Sequence, residues 1–221
     1  MTERNKNSEL IKKICAIGMF SALAFALMML CKLIPDVAGF LALDAKDAVI
    51  VISAFVYGPI TAPLVSLITS LIEFIVIGDT LFWGFLMDFI SSAAFTLTAS
   101  IIYKYKKTYN GAIFGLGFSV IVTTAVMILL DIFIIPIYTG VPQNVVIDMI
   151  PPVLLPFNFA KTLMNSALAL LLYKPAINAM RTAHLVPKKE HKTAFTKSSL
   201  LTLIIGASAL VVAAVILVII W

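Results

Sequence analysis

The sequence predicts an all-α, polytopic membrane protein: a bundle of six helices followed by one extra C-terminal transmembrane helix. Of its 221 residues, 62% are hydrophobic and 12% are charged, whereas soluble domains are about half apolar and about a quarter charged. The apolar runs are mostly long enough for membrane helices, and they lack the alternation of membrane β-strands. Composition therefore favours one helical domain embedded in a lipid bilayer.

Basic clusters predict on which side of the membrane each connection lies. Most of the 16 Lys and Arg residues fall in three groups: near the N-terminus, between the fourth and fifth predicted helices, and after the sixth. The positive-inside rule places such groups, and with them the N-terminus, in the cytoplasm. Basic groups also bind nucleic acids, but these flank apolar spans without an aromatic surface, so we expect no nucleic-acid partner.

The chain divides into a cytoplasmic tail, the six-helix membrane domain, a basic cytoplasmic linker and the additional helix. The predicted bounds of these four segments are 1–9, 10–181, 182–197 and 198–221. Within the domain we expect helices over about 10–33, 48–57, a third ending near 77, 82–103, 112–135 and 153–180. The connections 34–46 and 139–148 are expected to be extracellular loops, the first with a short extended segment over 40–44.

A lysine in the sixth apolar run marks the predicted ligand site. A charge at this depth is costly unless it faces a protein interior or a wet cavity. Asn158, Lys161 and Asn165 are spaced i, i+3 and i+7, which puts them on one side of a helix. This polar stripe predicts the floor of a pocket for a polar ligand.

Acidic residues on other helices extend this prediction. Under the expected topology Asp131, Asp88 and Glu73 fall in the outer half of the membrane together with Asn158 and Lys161. Several polar groups at one depth indicate a shared, outward-facing pocket. A simpler interpretation is that Asp131 or Asp88 only pairs with Lys161 and neutralises it.

Small residues on the first helix form a second candidate surface. Gly18, Ala22 and Ala26 repeat every four residues, and such a stripe lets another helix approach closely. The stripe either packs inside this bundle or docks a partner subunit. Cys15 and Cys31 lie 16 residues apart on the same helix, too far for a disulfide between them.

The sequence carries no enzyme signature. It has no phosphate-binding loop ending in Gly-Lys-Ser/Thr, no HExxH and no GxSxG elbow, and no metal-ligand spacing of Cys or His. We therefore expect a protein without catalytic residues, metal or cofactor. If it moves a solute uphill, the energy comes from a partner or from an ion.

Four ordered segments carry a family resemblance. They are Leu43–Asp47 with Ala54–Pro59, Phe85–Phe89, Asp131–Tyr138 with Gly140–Pro142, and Leu155–Lys161 with Leu171–Pro175. The set resembles the riboflavin-specific S component of energy-coupling factor (ECF) transporters. The resemblance implies a six-helix protein of the bacterial cell membrane that captures riboflavin from outside, as transported ligand rather than cofactor. The implied partners are a transmembrane coupling subunit, contacted by the stripe on the first helix, and two ATPases.

The resemblance also implies roles for individual residues. The ring-binding Asn and Lys of that family map onto Asn158 and Lys161, whose donors and acceptors suit the polar edge of a flavin ring. Trp83, Phe157 and Tyr138 are expected to supply flat contacts.

Some site positions leave alternatives open. The family often has Asn where this chain has Asp131, which accepts from the ring N–H or instead pairs with Lys161. Leu43 and Asp44 lie in the matching first loop and are expected to face the ligand. Asp44, Lys46 and Asp47 could equally form a solvated start of the second helix with Asp44 as its cap.

Two other functions stay open at this point. The chain could be an S component for another vitamin, or an ion-coupled secondary transporter in which Asp88, Asp131 and Lys161 form a charge relay. Gradient-driven uptake by this chain alone would favour the second.

Overall fold

The computed structural model describes residues 3–37, 39–77, 81–106, 108–182 and 197–220. Within these ranges the helices are α1 (Glu3–Cys31), α2 (Lys46–Tyr57), α3 (Thr61–Val76), α4 (Leu81–Tyr105), α5 (Tyr109–Thr139), α6 (Gln143–Met149), α7 (Leu155–Thr182) and α8 (Lys197–Ile220). The predicted all-α class with an additional C-terminal helix is confirmed. The predicted extended segment 40–44 begins in a turn closed by one bridge between Val37 and Leu41, and residues 42–45 form neither helix nor strand.

Several helices have the length and composition of membrane spans. In the described residues four apolar stretches are long enough to cross a membrane: Leu10–Cys31, Phe82–Tyr105, Asn110–Thr139 and Gln143–Met180. The apolar helices Thr61–Val76 and Ile204–Ile220 are shorter. Large apolar side chains such as Phe114, Phe133 and Ile75 are exposed on the outside of the bundle. An apolar exterior of this kind is suited to lipid rather than to water.

The short helix α2 lies at the centre of the bundle. It packs against α1, α3, α4 and α7, and eight of its 12 residues are buried. Val51 belongs to an apolar cluster with Phe95 of α4 and Leu170 of α7, and Ile50 to a second cluster with Phe20 of α1. Because α2 is enclosed by other helices, the charged residues at its start are carried into the protein interior.

The segment after α5 differs from the prediction. The sequence predicted a loop over 139–148, whereas α5 continues to Thr139 and a short helix, α6, follows Pro142. A π-helical turn over Ile150–Leu154 then joins α6 to α7. Val146 is fully buried against Ile135 and Leu154, and Val141, Met149 and Ile150 pack against the same cluster. A helix of seven residues is too short to show a clear helical periodicity, so the sequence did not predict it.

The two faces of α1 differ in burial. Ala16, Phe20 and Ala24 are buried against the bundle, whereas Gly18, Ala22 and Ala26 are exposed. The alternative that this stripe packs inside the bundle is therefore wrong. Cys15 and Cys31 are both free, as their spacing predicted.

The additional helix α8 packs along α7. Gly206 lies so close to α7 that a Cβ there would meet the Cγ and Cδ2 atoms of Leu171 at 2.9 Å. Ala213, seven residues later, is also buried, so small residues allow the close approach. Most of the predicted linker, residues 183–196, lies outside the described residues.

Candidate ligand-binding site

The polar stripe of α7 faces the protein interior. Asn158 and Asn165 are 4% and 1% exposed, and the Lys161 side chain is 16% exposed. The Lys161 ammonium lies 2.6 Å from the Asp44 carboxylate. An interior position with a charged partner is what a lysine at this depth requires.

The loop between α1 and α2 supplies the partner of Lys161. Asp44 is buried and does not cap α2, because the cap position is Ala45 and it makes no side-chain cap bond. The alternative that Asp44 is a solvated cap is therefore wrong. Burial alone would raise the pKa of Asp44, but the ammonium groups of Lys161 and Lys46 outweigh it and lower the pKa below its usual value. Asp44 is thus held as a carboxylate.

Asn165 ties α7 to this loop and to α2. Its Oδ1 accepts the backbone N–H of Ala48 at 3.0 Å, and its Nδ2 donates to the backbone carbonyls of Asp44 at 2.9 Å and Lys161 at 3.1 Å. Three bonds to backbone groups use both ends of the amide. Asn165 therefore fixes the backbone on either side of the Lys161–Asp44 pair.

A second ion-pair group surrounds Lys46. Its side chain is fully buried, and its Nζ lies 2.5 Å from Glu73 Oε2 and 2.5 Å from Asp88 Oδ1. Ser70 donates its hydroxyl hydrogen to the other oxygen of Asp88. The group joins α2, α3 and α4 and neutralises a charge that would be very costly alone.

The sequence left Lys46 either facing the ligand or in a solvated helix start, and it did not predict this buried ion-pair group. The available signal was a lysine flanked by Asp44 and Asp47 at the start of an apolar run. Its partners could not be predicted, because Glu73 and Asp88 approach only when α3 and α4 pack against α2.

Asp131 pairs with Asn158 rather than with Lys161. Asn158 donates through Nδ2 to Asp131 Oδ2 at 2.9 Å and to the Leu154 carbonyl at 3.0 Å. Since Asp88 pairs with Lys46, the prediction that Asp131 or Asp88 neutralises Lys161 is wrong; Asp44 does so. The three residues of the alternative charge relay lie in three separate pairs.

The remaining predicted residues lie around these groups. Leu43 is half-buried beside Asp44, and Trp83 is half-buried on α4 against Phe82. Tyr138 packs against the apolar cluster of Ile135, Val146 and Leu154. Among the described contacts, Trp83 and Tyr138 take no part in either ion-pair group.

A separate cleft of about 220 Å³ lies at the other end of α2. It is lined by Ala54–Pro59 together with Ser100, Tyr103 and Lys104 of α4. None of the predicted ligand residues lines it, so the predicted site and this cleft are distinct.

Helices with an apolar exterior and paired charges in the interior define the class: a polytopic membrane protein with a buried polar site. Residues 12–173 match the sequence profile of the family described as "ECF transporter, substrate-specific component", and the chain belongs to that family. It is therefore a transporter component and not an enzyme. The match ends within α7, so α8 lies beyond it.

Relatives of this chain include named transporters and a solved structure. It is 30% identical to "Riboflavin transporter RibU" of Staphylococcus aureus (strain TCH60), over 80% of this chain and 97% of the relative. It is 26% identical to "Riboflavin transporter FmnP" of Bacillus subtilis (strain 168), over 79% and 98%. A structure described as "Structure and mechanism of the S component of a bacterial ECF transporter" superposes with a TM-score of 0.67 at 30% identity, covering 78% of this chain and 99% of that one.

Proposed function

We propose that this chain binds riboflavin on the outer side of the bacterial cell membrane and passes it inward through a complex with an ECF coupling subunit and two ATPases. The observation that carries the proposal is the interior position of Lys161 and Asn158 on α7. Two relatives named as riboflavin transporters support the choice of ligand.

Asn158 and Lys161 keep hydrogen-bonding capacity for a flavin ring in addition to the bonds they already make. Both amide hydrogens of Asn158 are donated, to Asp131 and to Leu154, so Asn158 offers its Oδ1 as an acceptor for the ring N–H. The Lys161 ammonium group has three hydrogens, so it can stay paired with Asp44 while it donates a hydrogen bond to a ring carbonyl. In this arrangement Asp131 orients Asn158 and does not contact the ring itself.

A site of this kind discriminates strongly between ligands. Buried polar groups that only the correct ring satisfies are left unpaired when an analogue binds. Leu43, Trp83 and Tyr138 would then contribute apolar contacts at the edges of the ring.

Docking to the coupling subunit is proposed for the exposed stripe of Gly18, Ala22 and Ala26. The stripe faces away from the bundle and lacks bulky side chains, so another membrane helix can approach the α1 backbone closely. The N-terminus and the linker 182–197 are placed in the cytoplasm by their basic residues, which puts the Lys161 end of the bundle outside.

The direct test is equilibrium titration of riboflavin with the purified, detergent-solubilised chain. Bound riboflavin loses fluorescence when its ring lies against aromatic and polar side chains, and we expect saturable quenching without ATP or partner subunits. Absence of binding would contradict the proposal. Liposomes that contain only this chain should show no gradient-driven uptake, because the energy source is on other subunits.

A further inference from the structure

The cleft of about 220 Å³ at the end of α2 takes no part in the proposed function. Its lining contains three aromatic rings, a serine hydroxyl and a lysine, but no acidic side chain. The lining residues are Ala54, Phe55, Val56, Tyr57, Gly58, Pro59, Ser100, Tyr103 and Lys104. In the ligand site Lys46 and Lys161 are both paired with carboxylates, whereas this cleft has a positive charge and no carboxylate in its walls.

Short helices create this cleft. Because α2 ends at Tyr57 and α3 begins at Thr61, the chain reverses before it reaches the level at which its neighbours end. The ring of Tyr57 contacts Phe20 of α1, and from Phe20 back to Glu3 that helix extends for about 25 Å more. The α2–α3 turn is therefore set back from the end of α1, which leaves a recess beside it.

Lys104 brings a positive charge to the opening of the cleft. It lies at the end of α4, next to the exposed ring of Tyr105 and just before Lys106 and Lys107. On the proposed topology, this basic and aromatic segment lies at the cytoplasmic surface of the membrane. Lys104 is exposed, and in the described part of the chain no carboxylate is paired with it. A negatively charged group at the membrane surface can therefore reach it.

The other walls of the cleft offer hydrogen-bond acceptors. The last carbonyls of a helix have no donor within that helix. Gly58 donates its N–H to the carbonyl of Ala54, but no described backbone N–H donates to the carbonyls of Phe55 and Val56. Ser100 donates its hydroxyl hydrogen to the Leu97 carbonyl, so its oxygen can accept a further bond. A matching ligand therefore carries hydroxyl groups as well as a negative charge.

We propose that this cleft binds the headgroup of an anionic phospholipid, phosphatidylglycerol, from the cytoplasmic leaflet. The phosphate pairs with Lys104, and the hydroxyls of the terminal glycerol donate to Ser100 and to the carbonyls of Phe55 and Val56. The rings of Phe55 and Tyr103, whose centroids are 4.4 Å apart, form a wall beside the headgroup. Basic pockets between membrane helices on the cytoplasmic side are suited to anionic lipid headgroups. The site is separate from the flavin site and adds a function to the proposed one.

Apolar surface next to the cleft favours a lipid over a soluble phosphate. Ile60, which follows the lining residue Pro59, is 70% exposed, and Ile101 of α4 is also exposed. On α3, Leu64 and Leu71 continue this exposed apolar surface away from the cleft. The acyl chains of a lipid whose headgroup occupies the cleft can cover these side chains, whereas a soluble phosphate leaves them uncovered.

Native mass spectrometry of the full-length chain in detergent, titrated with single lipids, measures the binding. Three lipids separate the contributions: phosphatidylglycerol, phosphatidylmethanol, which keeps the negative charge but lacks the glycerol hydroxyls, and phosphatidylcholine, which has no net charge. We expect one phosphatidylglycerol to bind at least about fivefold more tightly than phosphatidylcholine, the effect of one lysine on an anionic lipid. Phosphatidylmethanol should lie between them, because it can pair with Lys104 but cannot donate to the carbonyls.

Variants of the basic segment locate the site. Lys104→Gln should abolish the preference for phosphatidylglycerol over phosphatidylcholine, and Lys104→Arg should keep it. Lys106→Gln is the matched control: it removes the same charge from the same segment at an exposed residue that does not line the cleft, and should leave the preference in place. Ser100→Ala should reduce the advantage of phosphatidylglycerol over phosphatidylmethanol. Helical circular dichroism shows that each variant is folded.

Several outcomes would overturn the lipid site. Equal binding of phosphatidylglycerol and phosphatidylcholine by the unaltered chain would refute it, and so would an equal loss of preference in Lys104→Gln and Lys106→Gln, which would indicate a diffuse basic surface. Displacement of the lipid by free glycerol phosphate at equal concentration would assign the cleft to a soluble phosphate instead. Riboflavin titration is independent of all these measurements, so a failure of the lipid site does not affect the proposed function.

Discussion

Two buried lysines in this protein are neutralised in different ways. Lys46 is fully enclosed, lies 2.5 Å from carboxylates on two different helices, and joins α2, α3 and α4. Lys161 is 16% exposed and has one paired carboxylate, Asp44, which comes from a loop. The first arrangement is enclosed and holds the ammonium between two carboxylates, whereas the second is partly open and leaves two ammonium hydrogens for a ligand. The comparison supports a structural role for Lys46 and the proposed ligand-binding role for Lys161.

The largest expected effect is on stability at Lys46. Lys46→Met leaves Glu73 and Asp88 as two adjacent, half-buried carboxylates without their shared cation and should lower the free energy of unfolding by roughly 3–5 kcal/mol. Denaturation in detergent micelles followed by helical circular dichroism measures it. Lys104→Met, at an exposed lysine, is the matched control and should cost less than about 0.5 kcal/mol. Equal losses of stability in the two variants would contradict a structural role for Lys46.

The next effect is on affinity at Lys161. Lys161→Met removes the predicted donor to the flavin ring and should weaken riboflavin binding by more than about 2 kcal/mol, or roughly 30-fold. Its stability loss should be smaller than that of Lys46→Met, since only one carboxylate loses its cation and Asp44 still feels the charge of Lys46. Fluorescence titration and unfolding of the same sample give both numbers. An unchanged riboflavin affinity would show that Lys161 does not bind the ligand.

A smaller effect on both quantities is expected at Asn165. Asn165→Leu leaves the Ala48 N–H and the Asp44 carbonyl without their partner and should lower stability by about 1–2 kcal/mol. Riboflavin affinity should fall less than for Lys161→Met, because the loop becomes less ordered while the donor stays. Asn178→Leu, at an exposed position on the same helix, serves as the control. A larger affinity loss than that of Lys161→Met would mean that Asn165 contacts the ligand directly.

The smallest effect on binding is expected at α8. Gly206→Val would press against Leu171 and loosen α8 from α7 at a cost of about 1–3 kcal/mol. Hydrogen exchange of the α8 amides should accelerate, while riboflavin affinity stays the same. Ala207→Val, on the exposed side of the helix, should change neither. Reduced riboflavin binding by Gly206→Val would show that α8 supports the site.

Features with a local pattern were predictable from the sequence. The long apolar runs gave the helices, and the spacing of Asn158, Lys161 and Asn165 placed all three on the inner side of α7. Lys161 could be identified as a site residue because a charged side chain in hydrocarbon is costly and is therefore usually functional.

Features that depend on packing between distant segments were not predictable. We expected the partner of Lys161 on another helix, whereas Asp44 lies in a loop. Loops have no periodic sequence pattern from which their path could be predicted. Lys46 acquires its partners from α3 and α4 only after folding. On α1, small residues occur on both faces, so the sequence could not tell which face is buried.

The most direct measurement is a structure of the chain with riboflavin bound. The account predicts the flavin ring between the α1–α2 loop and α7, with a ring carbonyl about 3 Å from Lys161 Nζ and the ring N–H directed at Asn158. It also predicts that Lys46 keeps both carboxylate partners. A ring bound away from α7, or one that takes Lys46 from Glu73 and Asp88 while Lys161 stays with Asp44 alone, would contradict it.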